Sequence, residues 1–466
     1  MKKYCLSLLL FIAAQSAIAQ KEFEGAWSGI LKIQIMELGL VFNIKNNNGQ
    51  LEATMDSPNQ GAKGIPVKSV RTNKDSIYIE MPEIQLVYKG ALLDPNNIKG
   101  SFIQRGQSFD LDLSKTLTLK ISRPQEPQAP FPYQEEKISF DNKAAGIQLS
   151  GTLTLPAGKG PFPAIVLVSG SGPQDRDETL LGHKPFLVLA DYFTRNGYAV
   201  LRYDDRGVAA SGGEFEGATS ANFATDAWAA VQFLQTRKDI SKKRIGIMGH
   251  SEGGLIATQL AAGHNKDLAY IVLLAGPGLR GDQILLQQQE LIAKASGIPD
   301  STVQKSLTSN KNIYDIINAG DKDPKITEQK LRLYLNNEFK EGRLPHEPGT
   351  PKDSVINTYL QAVAEPWMSY FIQYDPQPDL AKIKIPVLAL IGAKDHQVLP
   401  KFNIPALKGA FEKGNNKKAT VLEMEGLNHL FQEAQTGMPQ EYSSIEQTFS
   451  PAAIKTILDW LNKQTK

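Results

Sequence analysis

The sequence predicts an α/β fold, in which helices cover both faces of a parallel sheet, preceded by a small antiparallel all-β domain at the N-terminus. Downstream of residue 135, short and fully apolar runs alternate with amphipathic helical stretches. Upstream of it, short runs alternate apolar and polar residues between turn signals. The 466 residues are 41% hydrophobic and 21% charged, a composition typical of folded domains.

The first 19 residues have the features of a secretory signal peptide. Lys2 and Lys3 are followed by a short apolar run and by Ala-Ile-Ala at positions 17–19, a small-x-small cleavage site. The apolar run is well short of the roughly 20 residues that span a bilayer, so we expect no membrane span. A buried N-terminal helix is the alternative. We predict a soluble protein that is periplasmic or secreted.

Loss of the signal peptide would also remove Cys5, the only cysteine. The mature chain would then contain no disulfide, no zinc–thiolate site and no cysteine nucleophile. The 51 basic residues nearly balance the 49 acidic ones, for a formal charge of +2. Because binding to a phosphate backbone requires a basic excess, we expect no nucleic-acid partner.

Residues 20–123 contain the alternating runs, for example at 27–33 and 76–80, and are predicted to form a barrel or sandwich. Trp27 and Tyr78 could stack on sugars, which would give this domain a carbohydrate or partner contact. Core packing is the preferred interpretation of both aromatic residues. Four prolines then punctuate residues 124–134, which indicates a stiff linker.

Residues 135–466 carry the α/β pattern. Extended segments are predicted at 137–140 and 148–155 and apolar strands at 164–168, 198–203, 244–248, 270–274, 387–391 and 420–424. Helices are predicted at 185–195, 222–236, 255–262 and 452–461. The interval from about 281 to 380 is rich in Gln and Lys, is helical in pattern and lacks a strong strand. We interpret it as a helical cap inserted above the sheet.

The pattern Gly-x-Ser-x-Gly occurs at 249–253, between an apolar strand and a helix that starts near Leu255. At this position the pattern forms a tight turn, or nucleophile elbow, that projects a serine hydroxyl from the sheet edge. Gly249 and Gly253 have no Cβ atoms, which would clash in so tight a turn. Ser251 is therefore the candidate nucleophile, and His250 completes the elbow. An ordinary Gly-rich connection is the alternative.

A serine nucleophile needs a base that is oriented by a carboxylate, and this fold supplies them in the order Ser, acid, His. Asp395 follows the predicted strand 387–391, and His429 follows the predicted strand 420–424. Both positions fall at the carboxyl edge of the sheet, where such sites are built. We assign Asp395 and His429 to the triad, and the main alternative for Asp395 is a helix N-cap.

The remaining histidines fit the base less well. His396 precedes the final strand, and His250, beside the nucleophile, is expected to pack against the core. We expect solvated structural roles for His183, His264 and His346.

Acyl transfer also requires donors that face the developing oxyanion. One is the backbone N–H of Glu252, directly after the nucleophile. The other should come from the small residues after strand 164–168, where we favour the Ser171 N–H, with Gly172 as the neighbouring alternative. A simple turn is the other interpretation of this loop.

Two charged loops follow adjacent strands, at 175–177 (DRD) and 204–206 (DDR). They could recognise substrate at the mouth of the cleft. The preferred interpretation is an internal network of turns and ion pairs that holds the loops.

Four motifs in order resemble the α/β-hydrolase serine esterases of the EstD type, within the broader serine-aminopeptidase-like hydrolases. They are GSGPQDRDE at 170–178, YDDRG at 203–207, GHSEG at 249–253 and GLNH at 426–429. Residues 54–62 also resemble the β-rich N-terminal region of these proteins, less specifically. The resemblance implies an α/β-hydrolase fold, and carboxylesterase activity on short acyl chains with Ser251, Asp395 and His429 as the triad.

The sequence therefore predicts an exported serine hydrolase for small-molecule carboxylic esters, with no metal or organic cofactor. A serine peptidase on the same fold is the first alternative, and Glu290, Glu338 and Glu341 of the cap could then anchor a charged terminus. A non-catalytic binding protein is the second alternative.

Overall fold

The computed structural model describes residues 22–33, 36–47, 49–60, 62–117, 123–295, 297–320, 324–344, 346 and 349–464. The predicted signal peptide at 1–19 lies outside the described residues. The chain forms two compact units. Of the described residues, those up to 124 and the short segments 179–183 and 439–446 form the first unit. Those in 125–178, 184–438 and 447–464 form the second.

The first unit contains one antiparallel sheet of ten strands in the order β4-β3-β2-β1-β10-β8-β7-β6-β5, with β9 paired to β8. The strands are β1 (Gly25–Ile33), β2 (Met36–Asn47), β3 (Gln50–Ser57), β4 (Ala62–Pro66), β5 (Ser69–Asn73), β6 (Ser76–Met81), β7 (Leu86–Asp94), β8 (Asn97–Gln104), β9 (Gln107–Asp110) and β10 (Leu113–Ser114). Short 3-10 helices lie at Pro58–Gln60, Pro82–Ile84 and Pro439–Ser444. The predicted antiparallel all-β domain is confirmed.

The two aromatic residues singled out in this unit have opposite environments. Trp27 is fully buried, and its Nε1 donates to the carbonyl of Phe23 at 2.7 Å, which confirms the core interpretation. Tyr78 is 37% exposed, so the same interpretation is wrong for it. Side chains alternate between the two faces of a strand, and Ile77 and Ile79 occupy the buried face of β6. Tyr78 therefore points away from the core.

The second unit contains an eight-stranded sheet in the order β11-β12-β14-β13-β15-β16-β17-β18. The strands are β11 (Gln134–Asn142), β12 (Ile147–Leu155), β13 (Phe162–Val168), β14 (Ala199–Tyr203), β15 (Ile240–His250), β16 (Tyr270–Leu274), β17 (Val387–Gly392) and β18 (Ala419–Met424). β12 pairs antiparallel with β11 and β14, and all the other pairs are parallel. The carboxyl ends of the parallel strands therefore meet at one edge of the sheet.

In the described part of the chain, five helices outside the cap cover the sheet. They are α1 (Pro185–Arg195), α2 (Ser220–Thr236), α3 (Glu252–Gly263), α10 (Pro400–Lys413) and α11 (Pro451–Gln464). α2, α3 and α10 contribute to one buried apolar cluster with β13 and β15. α1 and α11 contribute to a second cluster that contains Met248 and Val200 from the same sheet. Apolar clusters on both faces explain why the central strands read as continuous apolar runs.

Helices fill the chain between β16 and β17, as the cap prediction requires. They are α4 (Gly281–Ala295), α5 (Asp300–Ala319), α6 (Pro324–Lys340), α7 (Lys352–Ala364), α8 (Pro366–Gln373) and α9 (Gln377–Lys382). α5 to α8 share a core of their own around Ile313, Leu335, Ile356 and Ile372. Leu380 of α9 packs instead into the cluster that covers the sheet. The α/β-hydrolase fold with a helical cap is confirmed.

The Pro-rich stretch predicted as a linker is anchored in the second unit at both of its ends. The Gln125 side chain accepts from the amides of Thr448 and Phe449 at 2.6 and 3.0 Å, and it donates to the Phe449 carbonyl at 2.7 Å. The Tyr133 hydroxyl donates to Asp191 of α1 at 2.9 Å. These bonds fix the stretch against this unit.

Candidate active site

Ser251 lies in the turn between β15, which ends at His250, and α3, which begins at Glu252. Its φ of 52° is in the left-handed region, a strained conformation for a residue other than glycine. A Cβ on Gly249 would come within 2.0 Å of the Gly253 carbonyl oxygen, and one on Gly253 within 2.1 Å of the Val168 oxygen. Glycine is therefore required at both positions, as the nucleophile-elbow interpretation predicts.

Asp395 and His429 lie in the loops after β17 and β18 and contact each other directly. His429 Nδ1 donates to Asp395 Oδ2 at 2.8 Å. The other carboxylate oxygen, Oδ1, accepts from the amides of Gln397 and Val398, each at 2.8 Å. Asp395 is 1% exposed and His429 is 3% exposed. This contact selects the imidazole tautomer whose Nε2 is free to act as a base.

The elbow is tied to the loop that carries His429. His250 Nε2 donates to the backbone carbonyl of His429 at 3.1 Å, and the centroids of the two imidazole rings lie 5.0 Å apart. The Ser251 amide donates to the carbonyl of Leu274, at the end of β16, at 2.8 Å. The loops that carry Ser251, Asp395 and His429 therefore share one edge of the sheet.

Ser171 and Gly172 lie in the loop after β13, which passes beside the nucleophile. A Cβ built on Gly170 would lie 3.4 Å from the Ser251 Cβ. The Gly170 amide donates to Glu178 Oε1 at 2.7 Å, so it is already engaged. The Ser171 carbonyl accepts from the Gln174 side chain at 3.3 Å. The oxyanion role of the Ser171 amide, or of its neighbour Gly172, stays a prediction.

Glu252 has a second role that the sequence did not predict, through its side chain. The carboxyl is 3% exposed and accepts from Ser220 Oγ of α2 at 2.5 Å and from Trp367 Nε1 of cap helix α8 at 2.7 Å. Burial raises its pKa, and hydrogen bonds from Ser220, Trp367 and Ser171 oppose that rise. The one signal in the sequence is an acidic residue at the start of an otherwise apolar helix.

The charged loops form the internal network that was the preferred interpretation. Arg176 binds Asp204 at 2.6 Å, Arg206 binds Asp226 at 2.7 Å, and Arg202 binds Asp177. The carboxylates of Asp177 and Asp204 are thus occupied by neighbouring arginines, which counts against the alternative of substrate recognition.

Asp205, in the second of these loops, bonds to the loop after β13 instead of to an arginine. Its carboxyl accepts from Ser169 Oγ at 2.8 Å and from the Gln174 amide at 3.0 Å. Burial raises the pKa of Asp205 to about 8; these two hydrogen bonds oppose the rise, and the charges of Glu252 and Glu178 add to it. Burial thus favours the protonated form of Asp205 in the folded chain.

The other histidines partly follow the predictions. His250 is buried, as expected, but polar groups contact its ring: Nδ1 lies 2.9 Å from Glu178 Oε1. The solvated role predicted for His183 is wrong, because this residue is 1% exposed and its Nε2 lies 3.0 Å from the Tyr442 carbonyl. Burial and the charge of Arg123 lower the pKa of His183 to about 4. His264 is half-buried and His346 is exposed.

No group of three or more His, Cys, Asp or Glu among the described residues is arranged to hold a metal ion. Among the helices that the structure describes, none combines the length and the apolar character needed to cross a membrane.

The family follows from comparison with known proteins. A family model described as X-Pro dipeptidyl-peptidase (S15 family) matches residues 145–409, more than half of the chain and most of the second unit. The chain belongs to this S15 family. Its match includes the β13 loop, the elbow with Ser251, the cap and Asp395, and it ends before His429.

The resemblance to EstD-type esterases is also confirmed. Esterase EstD of Thermotoga maritima is 29% identical over 296 residues, which cover 63% of this chain and 60% of EstD. The chain therefore spans about three fifths of the length of that relative. An uncharacterised 31.7 kDa protein of Escherichia coli, from the traX-finO intergenic region, is 25% identical over 261 residues, or 56% of this chain and 81% of that protein.

Two solved structures are among those similar to this member of the S15 family. Esterase Pf2001 of Pyrococcus furiosus has a TM-score of 0.43 and 15% identity, with 75% of this chain and 100% of that chain covered. Est1E of Butyrivibrio proteoclasticus, in a structure with bound ferulic acid, has a TM-score of 0.41 and 16% identity, with 70% and 98% covered.

Proposed function

We propose that this S15-family chain hydrolyses carboxylic esters through an acyl-enzyme formed on Ser251. The observation that carries the proposal is the meeting of a strained serine elbow with the Asp395–His429 pair, bonded at 2.8 Å, at one sheet edge. Ser251 Oγ attacks the ester carbonyl while His429 Nε2 takes the hydroxyl proton, and the alcohol then leaves with that proton. Water, deprotonated by the same imidazole, releases the acid and restores Ser251.

The tetrahedral intermediate carries a negative charge that two backbone amides would stabilise. Glu252 is the first residue of α3, and the first amides of a helix have no intrahelical acceptor and lie at the positive end of the helix dipole. The loop after β13 supplies the second donor. Because Glu178 already occupies the Gly170 amide, the next amide along, that of Ser171, is the better candidate.

Hydrolysis of p-nitrophenyl acetate and butyrate by the full chain and by Ser251→Ala tests the nucleophile. We expect a loss in kcat of about 10⁴-fold or more in the variant, together with loss of labelling by a fluorophosphonate probe. Ser301→Ala, on the exposed side of cap helix α5, is the matched control and should keep the wild-type rate. Equal rates for wild type and Ser251→Ala would rule out Ser251 as the nucleophile.

We further propose that short acyl chains are the preferred substrates, as the likeness to EstD-type esterases implies. A series of p-nitrophenyl esters from acetyl to lauroyl would rank them by kcat/KM. A maximum at eight or more acyl carbons would contradict this preference.

A peptidase acting on amides is the second candidate, favoured by the S15 family name, X-Pro dipeptidyl-peptidase. The acidic cap residues considered as anchors for a charged terminus are already paired: Glu290 with Lys294 at 2.7 Å, and Glu338 and Glu341 with Arg343 at 2.7 and 3.6 Å. This pairing favours the ester reaction. A higher kcat/KM for X-Pro p-nitroanilides than for short esters would make peptidase the better-supported function.

Export, directed by residues 1–19, is also part of the proposal. Expression in a Gram-negative host, followed by fractionation and N-terminal sequencing, should give a periplasmic or secreted protein that starts at Gln20. An intact Met1 in the cytoplasmic fraction would contradict it. Carbohydrate or partner contact through the first unit stays a prediction, for which the exposed ring of Tyr78 is the residue to test.

A further inference from the structure

Glu178 and His250 form a buried pair behind the nucleophile, outside the proposed triad. Glu178 is 3% exposed and His250 is 7% exposed. Their side chains contact each other at 2.9 Å, between Glu178 Oε1 and His250 Nδ1. Glu178 also has a left-handed φ of 52°, the same value as Ser251. Strained backbone of this kind persists where the surrounding structure holds it, often at functional sites.

The pair connects three segments of the proposed active site. His250 belongs to the elbow and reaches the His429 carbonyl through Nε2, at 3.1 Å. Glu178 Oε1 also accepts from the Gly170 amide at 2.7 Å, in the loop that would carry the oxyanion donor. The side chains of Glu178 and His250 therefore join the nucleophile elbow to the loop that carries His429 (the His429 loop) and to the loop after β13 (the oxyanion loop).

The partners of His250 determine where its protons are. The His429 carbonyl oxygen can only accept, so His250 Nε2 must donate and carries a proton. With Glu178 ionised, its Oε1 can only accept, so Nδ1 donates to it alongside the Gly170 amide. Both ring nitrogens are then donors, a state that only the imidazolium cation has.

We propose that Glu178 and His250 form a buried carboxylate–imidazolium pair that positions the nucleophile elbow, the oxyanion loop and the His429 loop relative to one another. The inference rests on the proposed hydrolase function, since it assigns a role to those three segments. Glu178 and His250 are positioning residues, because their contacts are to protein groups and not to the reacting atoms.

The charges around His250 are consistent with a cation. Burial alone would lower its pKa, but the Glu178 carboxylate and its hydrogen bond, the His429 carbonyl and the charge of Asp395 outweigh burial and raise it. These groups face the ring from the loops after β13, β18 and β17. Glu178→Gln keeps the size of the side chain but removes the largest of the favourable contributions. His250 should then be neutral at neutral pH and lose one of its two donors.

NMR of the resting full chain with ¹⁵N-labelled histidine tests the protonation state without any substrate. With only six histidines in the chain, the signals of His250 can be assigned by their loss in His250→Gln. We expect two ring N–H correlations with imidazolium ¹⁵N shifts for His250 at pH 7.5 in the wild type, and one in Glu178→Gln. A neutral His250 in the wild type at this pH would overturn the proposal.

Kinetics of Glu178→Gln test the positioning role. We expect kcat for p-nitrophenyl acetate to fall about 10- to 100-fold, with a smaller change in KM. As the pH is raised, the activity of the variant should also begin to fall at a lower pH than that of the wild type, because His250 of the variant loses its proton at a lower pH. Asp267→Asn, the same change in the surface pair of Asp267 with His264 at 3.3 Å, should leave both unchanged.

Wild-type kcat and pH profile in Glu178→Gln would overturn the positioning role. A variant that fails to fold is recognised by its NMR spectrum. In that case the protonation state of His250 in the wild type tests the proposal. Failure of the proposed function would be seen differently. Full activity in Ser251→Ala would show that Ser251 is not the nucleophile, while the NMR signals of His250 would be unchanged.

Discussion

Asp395 uses both of its carboxylate oxygens, one for the imidazole of His429 and one for two backbone amides. The amides prevent the carboxylate from rotating, so the ring of His429 is oriented before any substrate binds. Because the pair is buried, water does not compete for these bonds. Such a fixed acceptor is what a general base needs if it is to present a single nitrogen to the nucleophile.

Asp395→Asn should therefore lower kcat for short esters by roughly 10⁴-fold with little change in KM. An amide that faces Nδ1 with its NH₂ group would favour the wrong imidazole tautomer, while substrate contacts remain. Asp459→Asn, in the surface pair with Lys455, is the control and should retain the wild-type kcat. Steady-state kinetics with thermal melts to verify folding would measure both. A loss below about 10-fold would contradict the assignment of Asp395.

The residues of the proposed triad could be chosen from the sequence because chain order and strand position are local properties of the sequence. Asp395 and His429 each follow an apolar run, and Ser251 lies in a short motif. The Glu178–His250 contact joins residues 72 positions apart, and the Glu252–Trp367 contact joins residues 115 positions apart. No periodicity or spacing encodes these pairs, since the tertiary fold alone brings them together.

At the scale of single elements, helix α3 shows how tightly the elbow is packed. It begins directly after Ser251 and runs for 12 residues, with most of its first nine residues buried. A Cβ on its second residue, Gly253, would lie 2.1 Å from the carbonyl oxygen of Val168 in β13, whereas one on its last residue, Gly263, would meet nothing within 4 Å. The two ends of one helix therefore have opposite requirements.

Gly253→Ala should destabilise the second unit by about 1–3 kcal/mol, because the new methyl group overlaps backbone that cannot move freely. Gly263→Ala, the matched control, should be neutral or more stable by up to about 1 kcal/mol, since alanine favours the helix. Urea unfolding monitored by circular dichroism measures both variants. Similar midpoints for the two proteins would show that the elbow has more room than the structure indicates.

Prediction of whole elements succeeded best where the pattern was repetitive. Helix α1 and strand β16 have the predicted bounds, and α2 begins only two residues earlier than predicted. The cap helices were recognised as a group, but the packing of α9 against the sheet was not. Leu380 of α9 packs into the apolar cluster that covers the sheet, and an amphipathic pattern does not specify which core a helix packs against.

At the scale of the whole molecule, buried charges make stability depend on pH in two opposite ways. Asp204 and Asp205 are neighbours and both are buried. Burial favours the proton on Asp204, but the Arg176 hydrogen bonds outweigh it, so the pKa of Asp204 lies below its usual value of 3.8. Burial dominates at Asp205, whose pKa rises to about 8. The fold therefore favours the anion at one carboxyl and the neutral acid at the next.

Asp205→Asn should become progressively more stable than wild type between about pH 4 and pH 8. Over that range the unfolded chain releases the Asp205 proton while the folded chain keeps it, so the wild-type free energy of unfolding falls by up to about 1.4 kcal/mol per pH unit. An amide does not titrate and avoids this loss. Denaturant unfolding at pH 4, 6 and 8 measures the difference.

Asp204→Asn provides the comparison of opposite sign. Its lowered pKa means that the carboxylate stabilises the fold above about pH 4 and that this stabilisation is lost as the pH falls. The variant should be less stable than wild type at pH 6 and 8, with the gap closing toward acid. A pH-independent difference for Asp205→Asn would contradict the buried neutral acid.

The strands β16 and β17 are adjacent, with Ile271 opposite Val387, although the whole cap lies between them in the chain. An insertion whose two ends begin side by side can grow, shrink or be exchanged with only a slow rise in closure entropy. The order and pairing of the strands in the sheet would not have to change. The cap can therefore change in evolution while the sheet that carries Ser251, Asp395 and His429 stays the same, and a protein engineer could graft other caps at the same two junctions.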